Sequence, residues 1–189
     1  MKLGELADIR MGYPFRSRLE HDPKGNVSVI QMKDVDAADL LHAEGAIRVS
    51  LPAGKGHHLI QEGDLVFRSR GRSNTVALVA APIENAVLAA PMLLIHPRVV
   101  LPSYLHWFIN APETQAKLAA LAEGTSVRMV SKDSLKELEV PLPSKACQRR
   151  IVELATLVQK EQMLMANIAA QRKKLVERIL MNSAIKEAK

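Results

Sequence analysis

Residues 141–162 read PLPSKACQRRIVELATLVQKEQ, and the segment beyond Pro143 decides the architecture. Pro141 and Pro143 close a short apolar segment, and from Ser144 to Lys189 the chain contains neither Gly nor Pro. That stretch predicts one uninterrupted helix. With Ile151 as heptad position a, the a positions are Ile151, Val158, Met165, Arg172 and Ile179, and the d positions are Leu154, Glu161, Ile168, Leu175 and Asn182. Seven of these ten are apolar, the alternation that sustains a coiled-coil seam. A helix over about 147–184 would be roughly 55–60 Å long, against some 30 Å for a globular part of that size on the compactness rule. The helix is therefore expected to protrude and to need a partner, because isolated helices are marginal in water. The rival reading is a surface helix packed on its own domain.

Working outward, the remainder reads as a mixed, α+β domain over 1–143, with 144–189 as the helix. Residues 1–12 suggest a short helix or turn ending at Gly12, and 13–26 a loop rich in turn formers. VSVIQM (27–32), IRVSL (47–51), the segments flanking Gly63-Asp64, TVALVA (75–80) and VLAAPMLLI (87–95) read as strands, with Pro91 implying a bulge or an edge. Helices are expected over 102–109 and 112–122, each with Pro near its start, then a short strand at 127–130 and a helical turn over 131–138 capped by Ser131.

Charge narrows the function. The net charge is +6, and residues 144–189 alone carry ten Lys/Arg and four Asp/Glu, which accounts for all of it. The first 143 residues are electrically balanced, so any nucleic-acid contact there must come from local clustering. A single cysteine, Cys147, rules out an intramolecular disulfide and fits a reducing cytoplasm. The N-terminus carries acids where a signal peptide would be apolar, and the most apolar stretch, 75–95, is interrupted by Pro82, Glu84, Asn85 and Pro91, so no membrane span is expected.

Catalytic signatures are sparse. AGKGHH lacks P-loop spacing, and no GxGxxG follows a strand. His57 and His58 are adjacent and would point to opposite faces of a strand, so no metal site is expected. The acids Asp34, Asp36 and Asp39 read as a polar turn, though metal-dependent phosphodiester chemistry with acids such as Asp64 is an enzymatic alternative. One cluster stands out. FRSRGRSNT (67–75) gathers Arg68, Ser69, Arg70, Arg72, Ser73 and Asn74 around Gly71, with no acid between Asp64 and Glu84. Arginine reads guanine and asparagine reads adenine in the major groove, while serines suit phosphates. A solvated hairpin turn remains open on these residues alone. Thr125, Ser126 and Arg128, in EGTSVRMVSKDS (123–134), form a second, weaker candidate.

Taken in order, KLGELADIRMGYPF (2–15), VIQMKDVDAADL (29–40), LIQEGDLVFRSRG (59–71), the run from Leu101 to Ser144 and CQRRIVELATLVQKEQ (147–162) resemble the specificity subunits of type I restriction–modification systems. The resemblance implies a target recognition domain followed by a conserved-region helix. Full-length subunits hold two such units in tandem, so this chain looks like a half-length form. Where the family usually has an acid before the helix-starting Gln148, this chain has Cys147.

The implied role is non-catalytic: recognition of a bipartite double-stranded DNA target on behalf of an adenine methyltransferase subunit and a restriction subunit. S-adenosylmethionine and ATP with Mg²⁺ would belong to those partners, with no cofactor in this chain. A homodimer would pair the helices antiparallel through Ile151, Leu154, Val158, Met165, Ile168, Leu175 and Ile179. It would place two inverted half-sites about one to one and a half DNA turns apart. The bland alternative is a coiled-coil assembly module without DNA specificity.

Overall fold

A computed structural model describes residues 1–15, 18–35, 41–51, 59–71, 74–124 and 128–187, with 186 and 187 described by their backbone alone. Two compact units result, Met1–Arg149 and Arg150–Lys189. The division falls a few residues later than expected from sequence because Gln148 ties the first turn of the long helix into the first unit.

The first unit is built on two sheets. The larger joins β1 (Ala7–Met11), β7 (Leu93–Pro97), β4 (Leu65–Phe67) and β5 (Val76–Leu78), in that order and antiparallel throughout. The smaller runs β3 (Ile47–Val49), β2 (Val27–Ile30), β6 (Ala86–Leu88), with β2 and β6 parallel. Val66, Ala77 and Leu94 of the larger sheet form one buried cluster with Ile30, Ala86 and Leu88 of the smaller. Strand residues of the other parity, Leu65, Phe67, Leu93 and Ile95, are buried as well. Helix α2 (Pro102–Asn110) packs on β5 and buries Tyr104, Leu105 and Ile109. Helix α3 (Pro112–Leu121) lies against α2, while the short helices α1 (Leu3–Leu6) and α4 (Lys132–Lys136) pack by β1. Burial on both faces of β4, of most of β5 and of the start of β7 explains why these strands read as continuous apolar runs.

Four local expectations change, the first being that the segment before Gly63 makes only an isolated bridge, Leu59 with Val87, rather than a strand. Residues 7–11 form a full strand rather than part of a helix or turn. Ala7 and Ile9 are buried while Asp8 and Arg10 are not, and the segment pairs with β7 from Ala7–Pro97 to Met11–Leu93. The stretch 87–95 is two strands in two sheets, so Pro91 sits in the crossing between them rather than at a bulge. At 127–130 the described backbone makes isolated bridges instead of a strand. The expected cap at Ser131 is present: its Oγ accepts from Ser134 N at 3.0 Å.

Helix α5 (Lys145–Glu187) has 43 residues, about 64 Å at 1.5 Å per residue. Its first turn is anchored by Gln148, which is 1% exposed. Gln148 Oε1 accepts from Leu101 N, the N-cap residue of α2, at 2.9 Å, and its Nε2 donates to Pro143 O at 2.8 Å. Within the second unit the apolar heptad positions are uncovered: Leu154 is 64% exposed and Met165 63%. Val158, Ile168, Leu175 and Ile179 are exposed in the same way, and Ile151 is half-buried. Leu157 and Leu164, also exposed, flank the a/d seam and widen it. No helix among the described residues is long and apolar enough to cross a membrane.

Candidate nucleic-acid interface

The antiparallel sheet sets one end of the fold. Met11 of β1 lies opposite Leu93 of β7, which lies opposite Phe67 of β4, which lies opposite Val76 of β5. The segments leaving that end are therefore neighbours, and among them is the arginine-rich connection from β4 to β5.

That connection is held rigidly at its base. Arg68 N donates to Thr75 O at 2.9 Å, extending the hairpin by one step. Asn74 is 7% exposed, and its Nδ2 donates to Arg68 O (3.0 Å) and Ser69 O (3.3 Å). The backbone of Asn74 is gripped by Gln115 of α3, whose Oε1 accepts from Asn74 N and whose Nε2 donates to Asn74 O and Ile109 O. Ser69 is 1% exposed and its Oγ donates to Pro91 O at 2.6 Å. The Arg68 guanidinium is half-buried and donates to Val35 O.

Ser69 and Asn74, expected to touch DNA, are thus turned inward. The Ser69 hydroxyl and the Asn74 amide N–H groups are spent on the chain's own carbonyls. Their observed work is to fix the loop, and Arg68 shares that work through Val35. Arg70 differs. It is exposed, and its backbone forms an antiparallel bridge with Met129. Val130 N donates to Ser69 O at 3.0 Å, and Met129 exchanges backbone hydrogen bonds of 2.8 and 3.0 Å with Glu123. The fold therefore brings together the two clusters that sequence offered separately. Exposed Arg128 is the neighbour of Met129, so two arginines stand on adjacent backbone segments. Gly71 and Gly124, one in each segment, have φ of +124° and +112°, a region costly for any residue with a Cβ. Arg72, Ser73, Thr125 and Ser126 lie outside the described residues.

Two further residues support the site without having announced themselves in sequence. Asn110, the last residue of α2, accepts from Val76 N and donates to Val76 O, both at 2.9 Å. It occupies the free edge of β5 as a strand would. Gln115 carries no motif; its role follows only from α3 lying beside the loop.

Asp64 lies at the far end of β4 from Arg70. It is 1% exposed, with Oδ2 accepting from Gln61 N (2.8 Å) and Oδ1 at 2.7 Å from His96 Nδ1. The pair borders a cavity of about 80 Å³ together with Arg10 and Gln61. Both carboxylate oxygens are engaged in holding the turn and the imidazole. Asp34 is a turn holder too, its Oδ2 accepting from Gln31 N at 2.8 Å. Asp36, Asp39, His57 and His58 lie outside the described residues.

Known proteins resemble this chain along most of its length. It is 26% identical over 144 residues to the Type I restriction enzyme HindI specificity subunit of Haemophilus influenzae, which covers 74% of this chain and 31% of that protein. In structure it is similar to the HsdS subunit from Thermoanaerobacter tengcongensis, with a TM-score of 0.64 at 22% identity, covering 85% of this chain and 37% of the other. A chain of a solved type I R-M system, described for its complex assembly and conformational transition, gives a TM-score of 0.72 at 19% identity, with 94% and 42% covered. The type I S subunit from M. genitalium gives 0.58 at 15% identity, with 88% and 40% covered. The chain spans about a third of the curated relative it matches. The structural likenesses bear on the fold. The family model described as "Type I restriction modification DNA specificity domain" matches residues 1–171, and the chain belongs to that family.

Proposed function

We propose that this chain is a non-catalytic DNA-recognition subunit. It reads part of a bipartite double-stranded target and directs a methyltransferase subunit, and through it a restriction subunit, to that site. The observation that carries the reading, within this family, is the joining of the exposed Arg70 and Arg128 segments on a loop whose other described polar side chains serve rigidity. Fixed loops bearing exposed guanidinium groups suit bidentate contacts to guanine or clamps on phosphate. S-adenosylmethionine, ATP and Mg²⁺ act on the partner subunits, and the complex works in the cytoplasm. The exposed heptad face of α5 pairs with a second copy in antiparallel fashion, Met165 and Ile168 meeting their own mates near the dyad.

The test is binding of the assembled methyltransferase complex to its target and to single-base variants at several salt concentrations. Replacing Arg70 and Arg128 with Gln should cost about 1–3 kcal/mol of discrimination for each base pairing removed. A phosphate contact would instead weaken all sequences alike and lower the salt slope by about one. Unchanged affinity and unchanged target choice in the double variant would leave only the assembly-module reading for this loop.

A further inference from the structure

A groove of about 690 Å³ opens beside the arginine loop and is not part of it. Its lining includes Phe15, Arg18, Gln31, Met32, Lys33 and Pro91. It is tied to the loop at two points: Pro91 O accepts from Ser69 Oγ, and Val35 O, just beyond the turn that carries Met32 and Lys33, accepts from Arg68. Topology explains the neighbourhood. The groove segments leave the C-terminal ends of β1, β2 and β6, the first of which ends beside the start of β7 and so at the same end of the sheet as the arginine loop.

Three features point to a ligand. Gln31 Nε2 is buried and has no hydrogen-bond partner among the described residues. A buried amide donor left unmade carries a desolvation penalty that an incoming acceptor removes. Phe15, Met32 and Met92 add apolar wall to the polar lining, which suits the face or methyl group of a base better than a phosphate alone would need. Arg18 and Lys33 are exposed members of the same lining, and no acid is among the lining residues described. An acceptor with an apolar body, flanked by negative charge, is the chemistry of a base edge between two phosphates.

We infer that this groove is a second DNA-reading subsite, in which Gln31 donates its amide N–H to a base-edge acceptor while Arg18 and Lys33 hold the flanking phosphates. The inference rests on the DNA-recognition reading and extends it to residues in a different loop. It makes Gln31 a specificity-determining residue and the two cations positioning residues.

The experiment uses the assembled methyltransferase complex, with its methylated motif first read from wild type by sequencing. Q31L removes the donor at similar volume. The expected result is loss of preference at one position of the half-site, by roughly ten-fold in the ratio of right to wrong base, with the other positions unchanged. Q31E replaces the donor with an acceptor and should move the preferred base at that same position toward cytosine. R18Q/K33Q should weaken binding to all sequences alike and reduce the salt slope by about two.

Wild-type preferences at every position in Q31L overturn the inference. Should Q31L fail to fold, as judged by Trp107 fluorescence, the exposed pair decides: an unchanged salt slope in R18Q/K33Q overturns it. A wild-type complex with no sequence preference would sink the underlying reading instead. A loss of preference in R70Q/R128Q alone, with Q31L unaffected, would keep that reading and reject this subsite.

Discussion

Replacing Gln148 with Leu tests how the first turn of α5 is held within the first unit. Gln148 is 1% exposed and satisfies two backbone groups at once, Leu101 N–H at 2.9 Å and Pro143 C=O at 2.8 Å. Leu keeps nearly the same volume, so the change isolates the hydrogen bonds. Each is worth about 0.5–1.5 kcal/mol net, and a buried group left unpaired costs about 1–3 kcal/mol. Leu101 and Pro143 are only half-buried, so water recovers part of that penalty. We expect Q148L to destabilise the first unit by about 2–3 kcal/mol.

The chain supplies its own probe, since Trp107 is the single tryptophan and lies in α2, the helix whose N-cap Gln148 holds. Urea unfolding followed by its fluorescence should shift to lower midpoint by about 1 M, taking a slope of about 2 kcal/mol/M. R149Q, at an exposed neighbouring position, should stay within about 0.5 kcal/mol of wild type. A Q148L midpoint indistinguishable from that control would refute the anchoring role.

Two more substitutions probe the loop and the helix face. N74A removes the bonds from Nδ2 to Arg68 O and Ser69 O and should destabilise the chain by about 1–2 kcal/mol while leaving the methylated motif unchanged; a changed base preference at unaltered stability would make Asn74 a reader after all. Met165→Asp with Ile168→Asp would crowd four carboxylates at the centre of a paired α5. That variant should sediment as a monomer where wild type sediments as a dimer at tens of micromolar, and a monomeric wild type would assign the exposed face to a different subunit.

The helix was legible because nothing competes with its signal: no Gly or Pro after Ser144 and a steady apolar heptad. Helices α2 and α3 were legible from their N-terminal prolines, and α4 from Ser131. β1 was hidden by its neighbour, since LGEL makes a four-residue helix just before it and only the alternation Ala7-Asp8-Ile9-Arg10 betrays a strand. The split at Pro91 was hidden because both flanking runs are largely buried, which erases alternation. At the candidate site, composition singled out the loop but not which of its side chains the fold turns inward. Ser, Asn and Arg have the same letters whether they face DNA or brace a backbone, and only tertiary contacts with Pro91, Val35 and Gln115 separate the two uses. The approach of Arg128 to Arg70 is a non-local pairing with no sequence period to report it.

On the proposed function, this chain chooses a DNA sequence for its partners. The most direct measurement is methylation-sensitive sequencing of genomic DNA from cells that carry the methyltransferase gene with and without the gene for this chain. Adenine methylation is expected in two inverted half-sites separated by an unread gap, present only when the chain is present and relaxed at defined positions by R70Q/R128Q. A methylation pattern that does not depend on the chain would contradict it.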